Sequence, residues 1–166
     1  LAAVALASAG SLHAQARPAA PASKLRFDVS FIPQAHEGPI TGRVFVMVTR
    51  SVDKVPEPRL QIGRTGVPFF GRDVERLAPE QIVSIYSTDL GSPIDSLADI
   101  PAGDYFVQAM VVVYTDFHRA DGHTVWMHMD QWEGQNWKRS PGNLYGEPIK
   151  VRIDPSSAAP IKLVAD

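Results

Sequence analysis

The sequence predicts an all-β domain, an immunoglobulin-like β-sandwich with a long central hairpin. Apolar residues recur at every second position in several short runs, and Gly- and Pro-rich connections separate those runs. Asp121-Gly122, set between two β-type runs, has the composition of a tight hairpin turn. Roughly seven short strands joined in this way are the sequence pattern of a sandwich.

Residues 24–33 (KLRFDVSFIP) alternate Leu25, Phe27, Val29 and Phe31 against Lys24, Arg26, Asp28 and Ser30. A period of two gives a strand with one buried face, which Pro33 ends. Residues 42–50 (GRVFVMVTR) are almost wholly apolar and β-branched, as expected of an inner strand covered on both sides. After a loop rich in Pro and charge, residues 60–62 read as a short strand. Residues 63–80 read as an irregular excursion, with 72–80 the only helical candidate. Two exposed phenylalanines are costly, so at least one of Phe69 and Phe70 is expected to plug the core or to meet a neighbouring domain. Residues 81–86 (QIVSIY) form another strand candidate. Pro101 and Gly103 mark a turn into the longest strand, residues 105–117, from which residues 124–129 return. Residues 147–153 (EPIKVRI) alternate again and are expected to close the domain.

The two ends read differently. Residues 1–16 carry an apolar run followed by small-residue cleavage positions, the back half of a secretory signal peptide. Residues 17–23 are an Ala/Pro-rich flexible lead-in. That leaves residues 24–155 as the sandwich and 156–166 as a linker or the start of a further domain. The expected location is therefore periplasmic or extracellular. The apolar run is shorter than the about 20 residues that span a bilayer, so no transmembrane segment is expected.

A formal net charge of −2 without a dense Lys/Arg cluster argues against nucleic acid as a partner. The chain has no cysteine, which removes thiolate nucleophiles, zinc–thiolate sites and iron–sulfur ligation. Neither a P-loop nor a dinucleotide fingerprint is present, and no cofactor is expected. A G-x-S-x-G elbow is also lacking.

Chemistry concentrates in residues 105–145, which hold all three tryptophans and three of the five histidines. If Asp121-Gly122 is a two-residue primed loop, His118 faces Val125, Phe117 faces Trp126, Asp116 faces Met127 and Thr115 faces His128. Asp116, His118 and His123 then share one face, a weak metal-ligand set. His128 and Asp130 fall on the other, where Trp126 packs into the core against Phe117. A metal site needs three or four ligands about 2.0–2.3 Å from one ion, and a histidine held by one hydrogen bond is the simpler reading. Asp130 and Glu133 form a candidate carboxylate pair for glycoside hydrolysis, with no second constraint to support it. Trp132 and Trp137 lie among Glu133, Gln135 and Arg139, a rim of polar groups around aromatic anchors. Such a rim suits a domain–domain contact first and a carbohydrate platform second.

The run from Ile100 to Tyr145, and above all DGHTVW (121–126) and SPGNLY (140–145), resembles the N-terminal β-rich portion of a family of bacterial exported esterases. The resemblance extends over about residues 27–155. It implies a leader domain ahead of an α/β-hydrolase-like catalytic domain, whose serine, acid and histidine lie downstream of Asp166. No catalytic residue of the family maps onto this chain. The expected role is a non-catalytic accessory domain whose partner is the downstream catalytic domain of the same polypeptide, the whole being a serine esterase. The alternatives are a secreted carbohydrate-binding module and a small metal-dependent enzyme at Asp116, His118 and His123.

Overall fold

A computed structural model describes residues 23–129 and 136–166. Among these described residues ten strands form two sheets: β1 (Phe27–Phe31), β2 (Ile40–Thr49), β3 (Phe69–Leu77), β4 (Val83–Ile85), β5 (Leu90–Ser92), β6 (Gly103–His118), β7 (Thr124–His128), β8 (Leu144–Tyr145), β9 (Ile149–Ile153) and β10 (Ile161–Ala165). The small sheet has the order β10-β1-β4, and the large one runs β5-β3-β2-β6-β7. Strand β6 is the spine. One edge pairs with β2 over residues 106–113, while β9, β8 and β7 take successive lengths of the other. The domain is all-β, with a hydrophobic layer between its two sheets.

That layer follows from the period-two runs. Phe27, Val29, Phe31 and Ile85 of the small sheet meet Val44, Val46, Phe70, Val107, Ala109 and Val111 of the large one. Most of these side chains are wholly buried, and each of the larger ones, Val, Ile and Phe, contributes roughly 1.5–3 kcal/mol through removal from water. Asp28, on the other side of β1, is nevertheless buried. It faces Ser84 across the ladder, accepts that hydroxyl's hydrogen bond at 2.6 Å, and lies 3.3 Å from the Arg26 Nε. Strand β2 is apolar on both faces, as expected. Phe45 and Met47 turn away from the main core and join Met110, Val112 and Ile62 in a second cluster on the outer face of the large sheet.

Three expectations need correction. First, residues 69–77 are not an irregular or helical excursion but strand β3, paired with β2 from Met47↔Phe69 to Ile40↔Leu77. The misreading has a physical cause. The register shifts between Ile40 and Gly42, and Arg76 has a φ of 51°. This bulge places Phe70, Val74 and Leu77 on the core side at the i, i+4, i+7 spacing of an amphipathic helix. Phe70 plugs the core, as expected of one of the pair, while Phe69 faces the outer cluster.

Second, residues 60–62 are not a strand. Pro58–Gln61 forms a 3₁₀ turn, with Pro58 at its start, where a missing N–H costs nothing. Third, the stretch 156–166, expected to lie outside the sandwich, contains one of its strands. Ile161–Ala165 is β10, parallel to β1 from Phe27↔Ile161 to Phe31↔Ala165, with Leu163 and Ala165 in the main core. Ile161, Leu163, Val164 and Ala165 have the apolar content of a strand, but the partner that places it lies far away along the chain.

Candidate functional site

Strand β6 continues past the last residue that β2 covers, Val113, and with β7 forms a two-stranded arm. The turn at its tip is a three-residue loop, not the expected two-residue primed turn. Arg119 N–H donates to the His123 carbonyl at 2.8 Å and Gly122 N–H to the Arg119 carbonyl at 3.0 Å. Gly122 has φ +84°, the left-handed position that ends a type I turn, and the Asp121 carboxylate accepts the His123 N–H at 3.1 Å. Asp121 itself does not have positive φ.

The extra loop residue slips the register by one. His118 pairs with Thr124, Phe117 with Val125, Asp116 with Trp126 and Tyr114 with His128. A one-residue slip moves every side chain of the returning strand to the opposite face. His128 therefore shares a face with Asp116 and His118, contrary to the expected division. Trp126 joins that same face and is 52 % exposed, not core. The other face carries Phe117, Val125 and Met127.

The metal-ligand candidates do not converge. His118 Nε2 lies 3.4 Å from Asp116 Oδ2, and its Nδ1 lies 3.0 Å from the Thr124 hydroxyl. His123 sits in the loop, with its Nδ1 3.2 Å from Asp121 Oδ1. Among the described residues no group of three or more His, Asp or Glu is placed to hold an ion.

His128 Nδ1 lies 3.3 Å from Ser140 Oγ, a contact the sequence did not suggest. It is not an activated nucleophile in a usable position. Ser140 is 3 % exposed, so a substrate carbonyl has no approach to its hydroxyl. The contact ties the end of β7 to the 140–143 turn, in which Asn143 N–H donates to the Ser140 carbonyl at 3.3 Å.

Trp137, expected as an exposed anchor, spends its ring on its own domain. It lies 4.7 Å from the Phe45 ring and 6.1 Å from Phe69, capping the outer cluster. The Asn143 amide holds it from behind by donating to the Trp137 carbonyl at 2.7 Å. Arg139 remains exposed and lines a polar recess with Glu57, Arg59, Lys138 and Tyr145. Trp132, Glu133, Gln135 and Asp130 lie outside the described residues.

Sequence reasoning missed Arg59, which had the look of an ordinary loop cation. Its guanidinium is nearly buried, paired with Glu57, stacked 3.7 Å from the Tyr145 ring centroid and bonded to the Lys138 carbonyl at 3.0 Å. It fastens the 3₁₀ turn to the 137–145 segment. A groove on the outer face was also missed. Tyr114 and Trp126 line it with Thr41, Asp73, Glu75 and Arg76, enclosing about 510 Å³. Burial raises the Tyr114 phenol above its ordinary value, Asp73 adds to this, and Arg43 opposes it.

The chain matches no protein-family model, no curated protein and no solved structure. Among the described residues no helix is long and apolar enough to cross a membrane.

Proposed function

We propose that this chain is a non-catalytic accessory domain of an exported, periplasmic or extracellular esterase. On this reading it is an immunoglobulin-like sandwich that packs against or positions a hydrolase domain of the same polypeptide. The observation that carries the reading is the hairpin arm. An isolated two-stranded ribbon is marginal in water, yet this one exposes Phe117 (36 %) and Met127 (47 %) on one face and Trp126 on the other. Such a surface gains most by being covered. The likeness of residues 100–145 to the leader portion of exported esterases supplies the identity of the cover.

The test is the isolated chain set beside the hydrolase domain encoded by the same reading frame. The isolated chain is expected to leave short-chain nitrophenyl esters unhydrolysed. The two domains are expected to associate, and a Phe117→Ser/Met127→Ser double variant to weaken that association. Ester hydrolysis by the chain alone overturns the non-catalytic part, and a hydrolase domain indifferent to its presence overturns the packing part.

A second reading, a carbohydrate-binding module, draws support from a different place than the sequence indicated. The exposed indole of Trp126, beside Tyr114 and the charges of Asp73, Glu75 and Arg76, is a stacking platform with hydrogen-bonding groups at its rim. Oligosaccharide binding abolished by Trp126→Ala favours this reading. Silence across soluble and insoluble glycans removes it.

A further inference from the structure

The end of the sandwich away from the arm holds a recess of about 530 Å³, where the end of β2 meets the start of β6. Small-molecule sites span about 300–1,000 Å³, with apolar walls and a few placed polar groups. The walls here are Val48, Val67, Pro68, Ile94 and Ile100. Two of the polar residues are already engaged. Thr49 and Gln61 bond each other at 3.0 Å, and the Gln61 amide donates to the Ser51 and Val55 carbonyls.

Arg50 is different. Its Nη2 donates to the Tyr105 hydroxyl at 2.7 Å, and its guanidinium carbon stands 4.4 Å from the centroid of that ring. Tyr105 is held in turn by donating to the Pro101 carbonyl at 2.8 Å. Gly103 lets the backbone close on this pair, since a Cβ there would lie 3.1 Å from the Arg50 Nη1. A guanidinium has five N–H donors; among the described residues one of Arg50's is engaged, and its exposed side chain leaves the others to solvent. Among the described residues no carboxylate pairs with Arg50, as is also true of Arg64, Arg76 and Arg139, whereas Arg26, Arg43, Arg59, Arg72, Arg119 and Arg152 each have an acidic neighbour; what sets Arg50 apart is its stacking on Tyr105 at the recess.

A stacked, unpaired guanidinium beside an apolar recess suits a ligand with a planar anionic head and a hydrocarbon body. We infer that this recess binds a small organic carboxylate, its head on Arg50 and its body against Ile94, Ile100 and Val67. The inference is independent of the accessory-domain reading, because the arm lies at the other end of β6.

Titration of the ¹⁵N-labelled protein in a carboxylate-free buffer tests it, with benzoate and hexanoate as probes and benzyl alcohol and hexanol as uncharged counterparts. Saturable shifts are expected at the amides of residues 48–50, 65–67, 100 and 102–105, with the alcohols weaker by about tenfold or more, the usual worth of a charge-assisted bond. Arg50→Gln is expected to bind benzoate about tenfold more weakly. Arg50→Lys, which keeps the charge but loses the planar fork, should fall between that variant and the wild type. Alcohols binding as tightly as acids overturns the inference. So does Arg50→Gln binding like the wild type, or an absence of saturable shifts with the wild-type protein.

Discussion

Tyr114 stands directly across from His128 in the β6–β7 ladder, one residue out of the register that a two-residue Asp121-Gly122 loop dictates. This single pairing decides which side chains share a surface. It brings Asp116, His118, Trp126 and His128 together and leaves Phe117, Val125 and Met127 opposite. The glycine that closes this three-residue loop gives the first prediction.

Gly122 has φ +84°, and a Cβ there would meet nothing within 4 Å, so a substitution is penalised by the backbone alone. Gly122→Val is expected to cost about 1 kcal/mol or more in urea unfolding. Gly122→Asn should cost less, because asparagine tolerates the left-handed region. Gly63, equally uncrowded and without positive φ, is the control, and Gly63→Ala is expected to change stability little.

Phe69 and Phe70 are adjacent in the chain and face opposite layers. Phe70 is wholly buried between the sheets, while Phe69 lies partly covered against Phe45 and Trp137. Phe70→Ala is expected to cost about 3–5 kcal/mol and Phe69→Ala distinctly less. Equal losses in chemical denaturation contradict this assignment of faces.

Gln108 is 1 % exposed and sits on the central strand. Its Oε1 accepts the Arg59 N–H at 3.0 Å, and its Nε2 donates to the Gly146 carbonyl at 2.9 Å. Gln108→Leu keeps much of the volume but strands both backbone groups, so a loss of about 2–4 kcal/mol is expected. A neutral result in thermal unfolding argues against both bonds.

Tyr114 gives the pH dependence. Burial first, and Asp73 second, raise its folded-state pKa above the ordinary value of about 10. The folded protein therefore holds this proton more tightly than the unfolded chain does. The stability it contributes is fully present below about pH 10 and is lost as pH rises through the folded value. Asp73→Asn is expected to move the titration downward, because it removes one cause of the rise. The phenolate absorbance of the wild type minus that of Tyr114→Phe, followed from neutral to alkaline pH, measures the shift.

Strands β1, β2, β4, β6, β7 and β9 were legible because each carries its own signal. Examples are the alternation of Leu25 to Phe31, the doubly apolar run of β2, and the turn residues flanking β6. Strand β3 was not, since its bulge gave it a helical spacing. The candidate site was half legible. Asp116 and His118 lie on one face as read, but His128 and Trp126 changed sides. Trp137 proved to be a cap on Phe45, and Arg59 and Arg50 carried no local mark.

By itself the sequence determined that this chain makes strands, where most of them run and that they bury one apolar layer. Period and turn chemistry act between neighbours a few residues apart, so they can be read in place. Only the tertiary structure decided the pairing of β10 with β1, the register of the arm and the placing of Arg50 over Tyr105. Those depend on contacts between residues distant in the chain. A single residue in a loop is enough to exchange the two faces of a strand.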